Sequence, residues 1–391
     1  MPETLFQPTK ERWYSNPVAQ AWSRPTPIHV STDATPIAFH RSLPDYAPTP
    51  LVSLPSVAAR LGAHSVFIKD ESRRLGLPAF KILGASFAIF RALCDRAGLS
   101  RATTTMESLR EHEWTLTPVL VAATDGNHGR AVARSAAMLG LRADIYVPAS
   151  VSAYSRESIA SEGATVTVVD APYDEAVRQA AAVADDNAST HLLIQDTSWD
   201  GYEKVPADIV AGYTTLFGEV DSQLAALKLP SATHCVVPVG VGSLAHAATI
   251  HYRRASSTSS PSLLSVEPTN APCLLTSLLA GQLRSVSTSD TVMPGLNCGT
   301  PSQLAWSDLQ AGIDSAVSIT DSQALDALSE LDALGVDAGP CGAATLAGLY
   351  EAQMQDKRTG TYGLSGDSVI VLISTEGSEV FLGDKARAPP S

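Results

Sequence analysis

The 391-residue chain is 45% hydrophobic and 17% charged, with a net charge of −13, a balance suited to a soluble globular protein large enough for two domains. The acidic excess argues against nucleic acid or an anionic membrane as partner, and no apolar run approaches the roughly eighteen residues of a membrane span. The first residues lack the apolar core of a secretory signal and the last carry no lipidation or peroxisomal ending, so a cytoplasmic location is expected.

The opening fifty residues, rich in Pro and aromatics, read as an arm laid over the body. Alternation begins with a short strand at Ser65–Lys69. From Pro118 the pattern is regular: strand Val119–Thr124, helix Gly129–Leu139, strand Ala143–Pro148, helix Ala153–Glu162, strand Ala164–Asp170, helix Asp174–Asp185 and strand His191–Gln195. A second set follows, with strands at His234–Val239, Leu263–Glu267 and Ser368–Ser374 and helices at Asp321–Leu334 and Ala343–Gln355. Strands alternating with helices at this spacing predict βαβ units and parallel sheets. The fold class is therefore α/β: two open twisted domains, a smaller one at 88–205 inserted in a larger one made of 1–87 and 206–391, with a ligand cleft expected between them. The five cysteines are widely spaced and include no CxxC pair, which excludes a zinc ribbon or dense disulfide framework, and no metal is expected. Cys273 and Cys298 flank a loop-rich stretch in which an approach of the two is left open.

Five segments carry candidate chemistry. Lys81 follows Phe80 and opens a small, apolar, glycine-containing run, Ile82–Ser86, that reads as a buried helix. An ammonium entering a core needs a reason. It either snorkels at a helix end or bonds covalently to an aldehyde cofactor. Thr124–Gly129 joins a buried strand to a helix and offers the Asp125 carboxylate and the Asn127 amide, although either suits a plain helix cap. Gln195–Tyr202 places Asp196 after a strand, where a solvated turn aspartate is the bland alternative. Gly240, Val241, Gly242, Ser243 and Leu244 form a strand–glycine–helix turn, either a tight turn or a phosphate cradle built from backbone N–H groups. Finally, Ser374 and Thr375 end an apolar strand with hydroxyls that cap a turn or meet a heterocyclic nitrogen. His128 reads as a structural histidine at a helix start.

These segments together resemble the tryptophan-synthase-β-like, fold type II, pyridoxal-phosphate enzymes, and among them the diaminopropionate ammonia-lyases. The resemblance rests on collinear motifs at Lys69–Ser86, Thr124–Arg130, Gln195–Tyr202, Gly240–Ser243, Glu267–Cys273, Gly295–Gly299 and Thr375–Gly377. It implies pyridoxal 5'-phosphate as cofactor, a Schiff base at Lys81, a phosphate site at Gly240–Leu244, Asn127 on the phenolic oxygen, and Ser374 or Thr375 on the pyridine nitrogen. Lys81, Asp125 and Asp196 are the implied catalytic residues, with Phe80 beside the cofactor, a small amino-acid substrate and a homodimer. Dehydratases of this superfamily usually carry Ser or Thr where Asp125 stands. A carboxylate there suits a substrate with a second, cationic amine and favours 2,3-diaminopropionate over serine or threonine. β-Elimination or β-replacement on serine-like substrates is the rival reading, and a cofactor-binding protein without catalysis a third.

Overall fold

The computed structural model describes residues 5–25, 35–124, 126–255, 257 and 260–387, with side chains described up to 383. Its strands in chain order are β1 (Trp13–Ser15), β2 (Leu51–Ser53), β3 (Ser65–Asp70), β4 (Val119–Ala123), β5 (Arg142–Pro148), β6 (Thr165–Val169), β7 (His191–Leu193), β8 (His234–Pro238), β9 (Ser262–Pro268), β10 (Ser315–Ile319) and β11 (Val369–Ser374). They form two sheets, one of seven strands in the order β1-β10-β9-β8-β11-β3-β2 and one of four in the order β6-β5-β4-β7.

Contacts group the chain into two compact units. One holds the described residues of Met1–Ile28, Pro48–Arg73 and Leu216–Ser378; the other holds those of His29–Ala47, Arg74–Thr215 and Glu379–Ser391. The central block thus runs from Arg74 to Thr215, wider than 88–205, because the helix Lys81–Ala97 packs on the helix Asn127–Leu139 of the same unit.

In the first unit, β3, β11, β8, β9 and β10 are parallel, and the sheet ends in antiparallel β2 and β1. The early strand at Ser65 pairs with the last one, Val66 opposite Ile370. Strands β8, β9, β10 and β11 are buried along their whole length, as expected of a parallel sheet covered on both faces. Val236, Leu264, Val317, Ile370 and Leu372 pack there with Ala343, Leu346 and Leu349 of the helix Pro340–Thr359. The arm is anchored at the sheet edge: Trp13 pairs with Val317, and Arg12 Nε donates to the Ser318 carbonyl at 3.0 Å.

In the second unit all four strands are parallel. Val119, Val121 and Ala123 of β4 pack on Ala176 and Ala180 of the helix Tyr173–Asp186. Both sheets present loops at their carboxyl ends, where open α/β sheets place ligands.

Candidate active site

In the second unit, Lys81 is the first residue of the helix Lys81–Ala97. A Cβ on Gly84 would lie 2.5 Å from the Tyr213 ring and 2.7 Å from Ile209, so glycine is what lets this helix meet the helix Lys204–Ala226. Phe80 packs on Tyr213 with ring centroids 4.7 Å apart, and Lys81 Nζ lies 5.5 Å from the Phe80 centroid. Nζ also donates to Asp196 Oδ2 at 2.6 Å. The lysine side chain is 24% exposed and the aspartate 8%. Burial pushes the Asp196 carboxyl up, but the Lys81 ammonium and His128 outweigh it and hold the group at about 2. Asp196 is therefore a carboxylate across the working range of an ordinary enzyme.

Several bonds fix Asp196. The side chain of its neighbour Gln195 is fully buried: Oε1 accepts from Ala123 N at 3.0 Å and Nε2 donates to the Tyr173 hydroxyl at 2.7 Å. The Gln195 amide donates to the Tyr202 hydroxyl at 2.9 Å, which in turn donates to the Leu193 carbonyl at 2.8 Å. His128 Nε2 donates to the Ile194 carbonyl at 2.8 Å, leaving Nδ1 3.9 Å from Asp196 Oδ2. The histidine thus ties the start of its helix to the chain leading into Asp196. Tyr213 is completely buried. Burial pushes its phenol up, offset in part by the Lys81 ammonium.

The Thr124 turn belongs to the same unit. Thr124 Oγ1 accepts from the Gly126 and Gly129 amides at 2.9 and 3.0 Å. A Cβ on Gly129 would lie 2.2 Å from Thr124 Cγ2, so the turn closes only on glycine. Asn127 opens the helix Asn127–Leu139. Asp125 lies outside the described residues.

In the first unit, Gly240–Leu244 joins β8 to the helix Ser243–Tyr252. Gly242 has φ +93°, a left-handed conformation that favours glycine. A Cβ on Gly240 would sit 2.7 Å from the Gly295 carbonyl and 3.1 Å from Cys298 Sγ. Cys273 lies near the same glycine, its Sγ donating to the Gly240 carbonyl at 3.6 Å, and neither cysteine is in a disulfide. Val241 is partly exposed, while Ser243 and Leu244 are buried. Nearby, Glu267 accepts from the Leu274 and Leu275 amides at 2.7 Å each and so caps the helix Cys273–Ala280.

Ser374 ends β11 in the same unit. It is fully buried, and its Oγ has no hydrogen-bond partner among the described residues. A Cβ on Gly342 would sit 2.4 Å from that Oγ and 3.1 Å from Thr375 N. Thr375 is buried too, at 6% exposure.

The donor set fits pyridoxal phosphate. A lysine at a helix start offers a nucleophile. A glycine turn opening a helix aims N–H groups at a dianion without needing a cation. The orphaned Ser374 hydroxyl, a costly feature when left unmet, suits a ring nitrogen. Tyr213, packed on Phe80, and Gly342, close against Ser374, are neighbours of these residues that the sequence reading did not single out. The glycine after Pro340 and Cys341 is a readable signal at a helix start, whereas nothing local marks Tyr213.

A family model described as pyridoxal-phosphate dependent enzyme matches residues 43–376. The diaminopropionate ammonia-lyase of Salmonella typhimurium is 38% identical over 360 residues, covering 87% of this chain and 88% of that protein. The crystal structure of the Escherichia coli diaminopropionate ammonia-lyase in complex with D-serine superposes with a TM-score of 0.85 at 30% identity, covering 98% of this chain and 100% of that one. The same E. coli enzyme in complex with an aminoacrylate-PLP azomethine reaction intermediate gives 0.82 at 30% identity, covering 96% of this chain and 98% of that one. The chain therefore belongs to the pyridoxal-phosphate dependent enzymes and, within them, to the diaminopropionate ammonia-lyase family.

Proposed function

We propose that the protein eliminates ammonia from 2,3-diaminopropionate, so that substrate and one water yield pyruvate and two molecules of ammonia. When bound, pyridoxal phosphate supplies an aldehyde carbon for Lys81 Nζ and an electron sink for charge developing at the substrate Cα. Lys81 holds the cofactor and, once displaced by the substrate amine, moves a proton at Cα. Asp125 is the second base, and the two serve opposite enantiomers. Asn127 takes the phenolic oxygen, Phe80 flanks the cofactor, and Gly240, Val241, Gly242, Ser243 and Leu244 hold the phosphate. Ser374 is favoured over Thr375 for the pyridine nitrogen because its buried hydroxyl has no hydrogen-bond partner among the described residues. A neutral hydroxyl there withdraws electrons only moderately, which suits elimination better than transamination. The working unit is taken as a cytoplasmic homodimer.

The observation that carries the substrate assignment is Asp196. With the Lys81 ammonium beside it the carboxyl is held at about 2, so it stands as a carboxylate that receives a cation. In this geometry the cation is the Lys81 ammonium at 2.6 Å. With Lys81 engaged elsewhere, a β-ammonium group satisfies the same carboxylate, whereas the hydroxyl of serine leaves it uncompensated, a costly outcome in a buried setting.

The test is to assay pyruvate from D- and L-2,3-diaminopropionate and from serine. Diaminopropionate is the expected substrate, and Lys81→Ala should lose the cofactor's visible absorption and at least about 10³ of turnover. Asp125→Asn should lose one enantiomer selectively. Pyruvate from serine but not from diaminopropionate would overturn the reading in favour of a dehydratase.

A further inference from the structure

The turn Gly240–Leu244 contains no ionisable side chain, so whatever it binds, it binds through the direction of its N–H groups. That direction depends on what stands behind the turn. One helix there is Gln303–Gly312. The amide of Ser302, its N-cap residue, donates to the Val241 carbonyl at 2.8 Å. Leu309 Cδ1 lies 2.9 Å from where a Cβ on Gly242 would be, so this helix abuts the turn directly.

Asp308 is the residue before Leu309, and its Oδ2 accepts twice: from His246 Nε2 at 2.8 Å and from Arg24 Nε at 2.6 Å. His246 belongs to the helix that the turn opens, and its own amide donates back to the Gly242 carbonyl at 2.8 Å. Arg24 belongs to the amino-terminal arm, and its amide donates to the Arg253 carbonyl at 2.7 Å. The aspartate and histidine are buried, and the arginine side chain is 20% exposed. One carboxylate oxygen therefore joins the arm, the helix behind the turn and the helix beginning at the turn. Charge-assisted bonds of this kind are the stronger ones, and supporting partners of a binding shell commonly govern affinity although they touch no ligand.

We propose that Asp308 is a positioning residue for the Gly240–Leu244 turn, and that through Arg24 it makes cofactor retention depend on the amino-terminal arm. The inference rests on the assignment of this turn to the cofactor phosphate. It asks nothing of Asp308 in the chemical step.

The test is a titration of full-length protein with pyridoxal phosphate, read by visible absorption and by the ³¹P resonance of the bound phosphate. Asp308→Asn should raise the dissociation constant about tenfold and shift or broaden the ³¹P signal. Arg24→Gln, at a more exposed position, should move both readouts in the same direction by less. Because both act through one carboxylate, the double variant should bind scarcely worse than Asp308→Asn alone. Asp221→Asn is the control: it breaks a second histidine–aspartate pair, in which His251 Nε2, at the end of the same helix away from the turn, lies 2.7 Å from Asp221 Oδ2 of the helix Lys204–Ala226. It should leave cofactor binding and the ³¹P signal in place. Lowered thermal stability in Asp308→Asn with unchanged affinity and ³¹P signal would overturn the inference alone, as would equal loss of affinity in the Asp221 variant. A wild-type protein that binds no cofactor, or binds it with a mobile phosphate, would overturn the phosphate assignment as well.

Discussion

At Lys81 an ammonium and a carboxylate meet at 2.6 Å, with a histidine nitrogen 3.9 Å from the same oxygen. At Gly240–Leu244 there is no ionisable side chain, and glycines with close backbone neighbours take the place of charges. The Ser374 corner resembles the second region, with a neutral hydroxyl beside a glycine. The contrast follows from the tasks proposed for each region. A lysine that gives and takes protons gains from a partner of opposite charge wherever it is ammonium, because burial disfavours the charged form. A dianion at a helix start is met by oriented N–H groups, which need space and direction more than charge. The residues that form each region should therefore fail differently: those of the first when a side chain loses its charge, those of the second when a methyl group is added.

The largest expected effect is at the crowded corner. In Gly342→Ala the new Cβ would stand 2.4 Å from Ser374 Oγ and 3.2 Å from Ser374 Cα. The strand end or the start of the helix Pro340–Thr359 must shift, at about 1–3 kcal/mol for overpacking. Chemical denaturation of the cofactor-free protein should show that loss, and titration with pyridoxal phosphate should show weakened binding. Unchanged stability and affinity would break the distinction, since backbone proximity would then not be what builds this corner.

The lysine region is sharpened by pH. The Asp196 carboxyl, ordinarily near 3.8, is held at about 2 in the folded protein by Lys81 and His128 against the opposing effect of burial. A depressed carboxylate contributes stability that is fully present above its unfolded value and is lost as pH falls through its folded one. The contribution is about 2 kcal/mol, present from neutral pH down to about 4 and gone near pH 2. Comparing cofactor-free wild type with Asp196→Asn by denaturant unfolding at several pH values should show the stability difference shrinking across that window. Parallel curves would mean that charge does not hold Asp196 in place.

The parts of this picture legible in the sequence are those carried by local pattern. The buried strands β4, β8 and β11 and the glycine turns that follow them announce themselves through apolar runs ended by Gly, Asp, Asn, Ser and Thr. The three-residue strands β1 and β2 are too short to show alternation. The helix Lys204–Ala226 is harder to read, because Ile209, Val210, Ala211, Tyr213, Leu216, Phe217 and Val220 are all buried and no polar face marks its period. Tyr213 escapes notice for the same reason, its relation to Phe80 and Lys81 being made only when two helices close over Gly84. The hydroxyls of Ser374, which ends β11, and Thr375, which follows it, are visible in the sequence, yet the choice between them depends on the absent Cβ of Gly342, more than thirty residues earlier in the chain.

That choice gives the smallest effect and the most direct contrast between the two regions. Ser374 Oγ is buried without a partner among the described residues, and such an atom costs about 1–3 kcal/mol. Ser374→Ala should therefore leave the cofactor-free protein as stable as wild type, or more stable by about 1 kcal/mol. With cofactor bound, the same substitution should lower turnover about tenfold, the loss of one hydrogen bond to the reacting system. Opposite signs in the two states are the signature of a hydroxyl kept for its ligand. Loss of stability in both states would assign Ser374 to packing and pass the pyridine nitrogen to Thr375. At Lys81 no comparable sign reversal is expected, because there the protein supplies its own counter-charge.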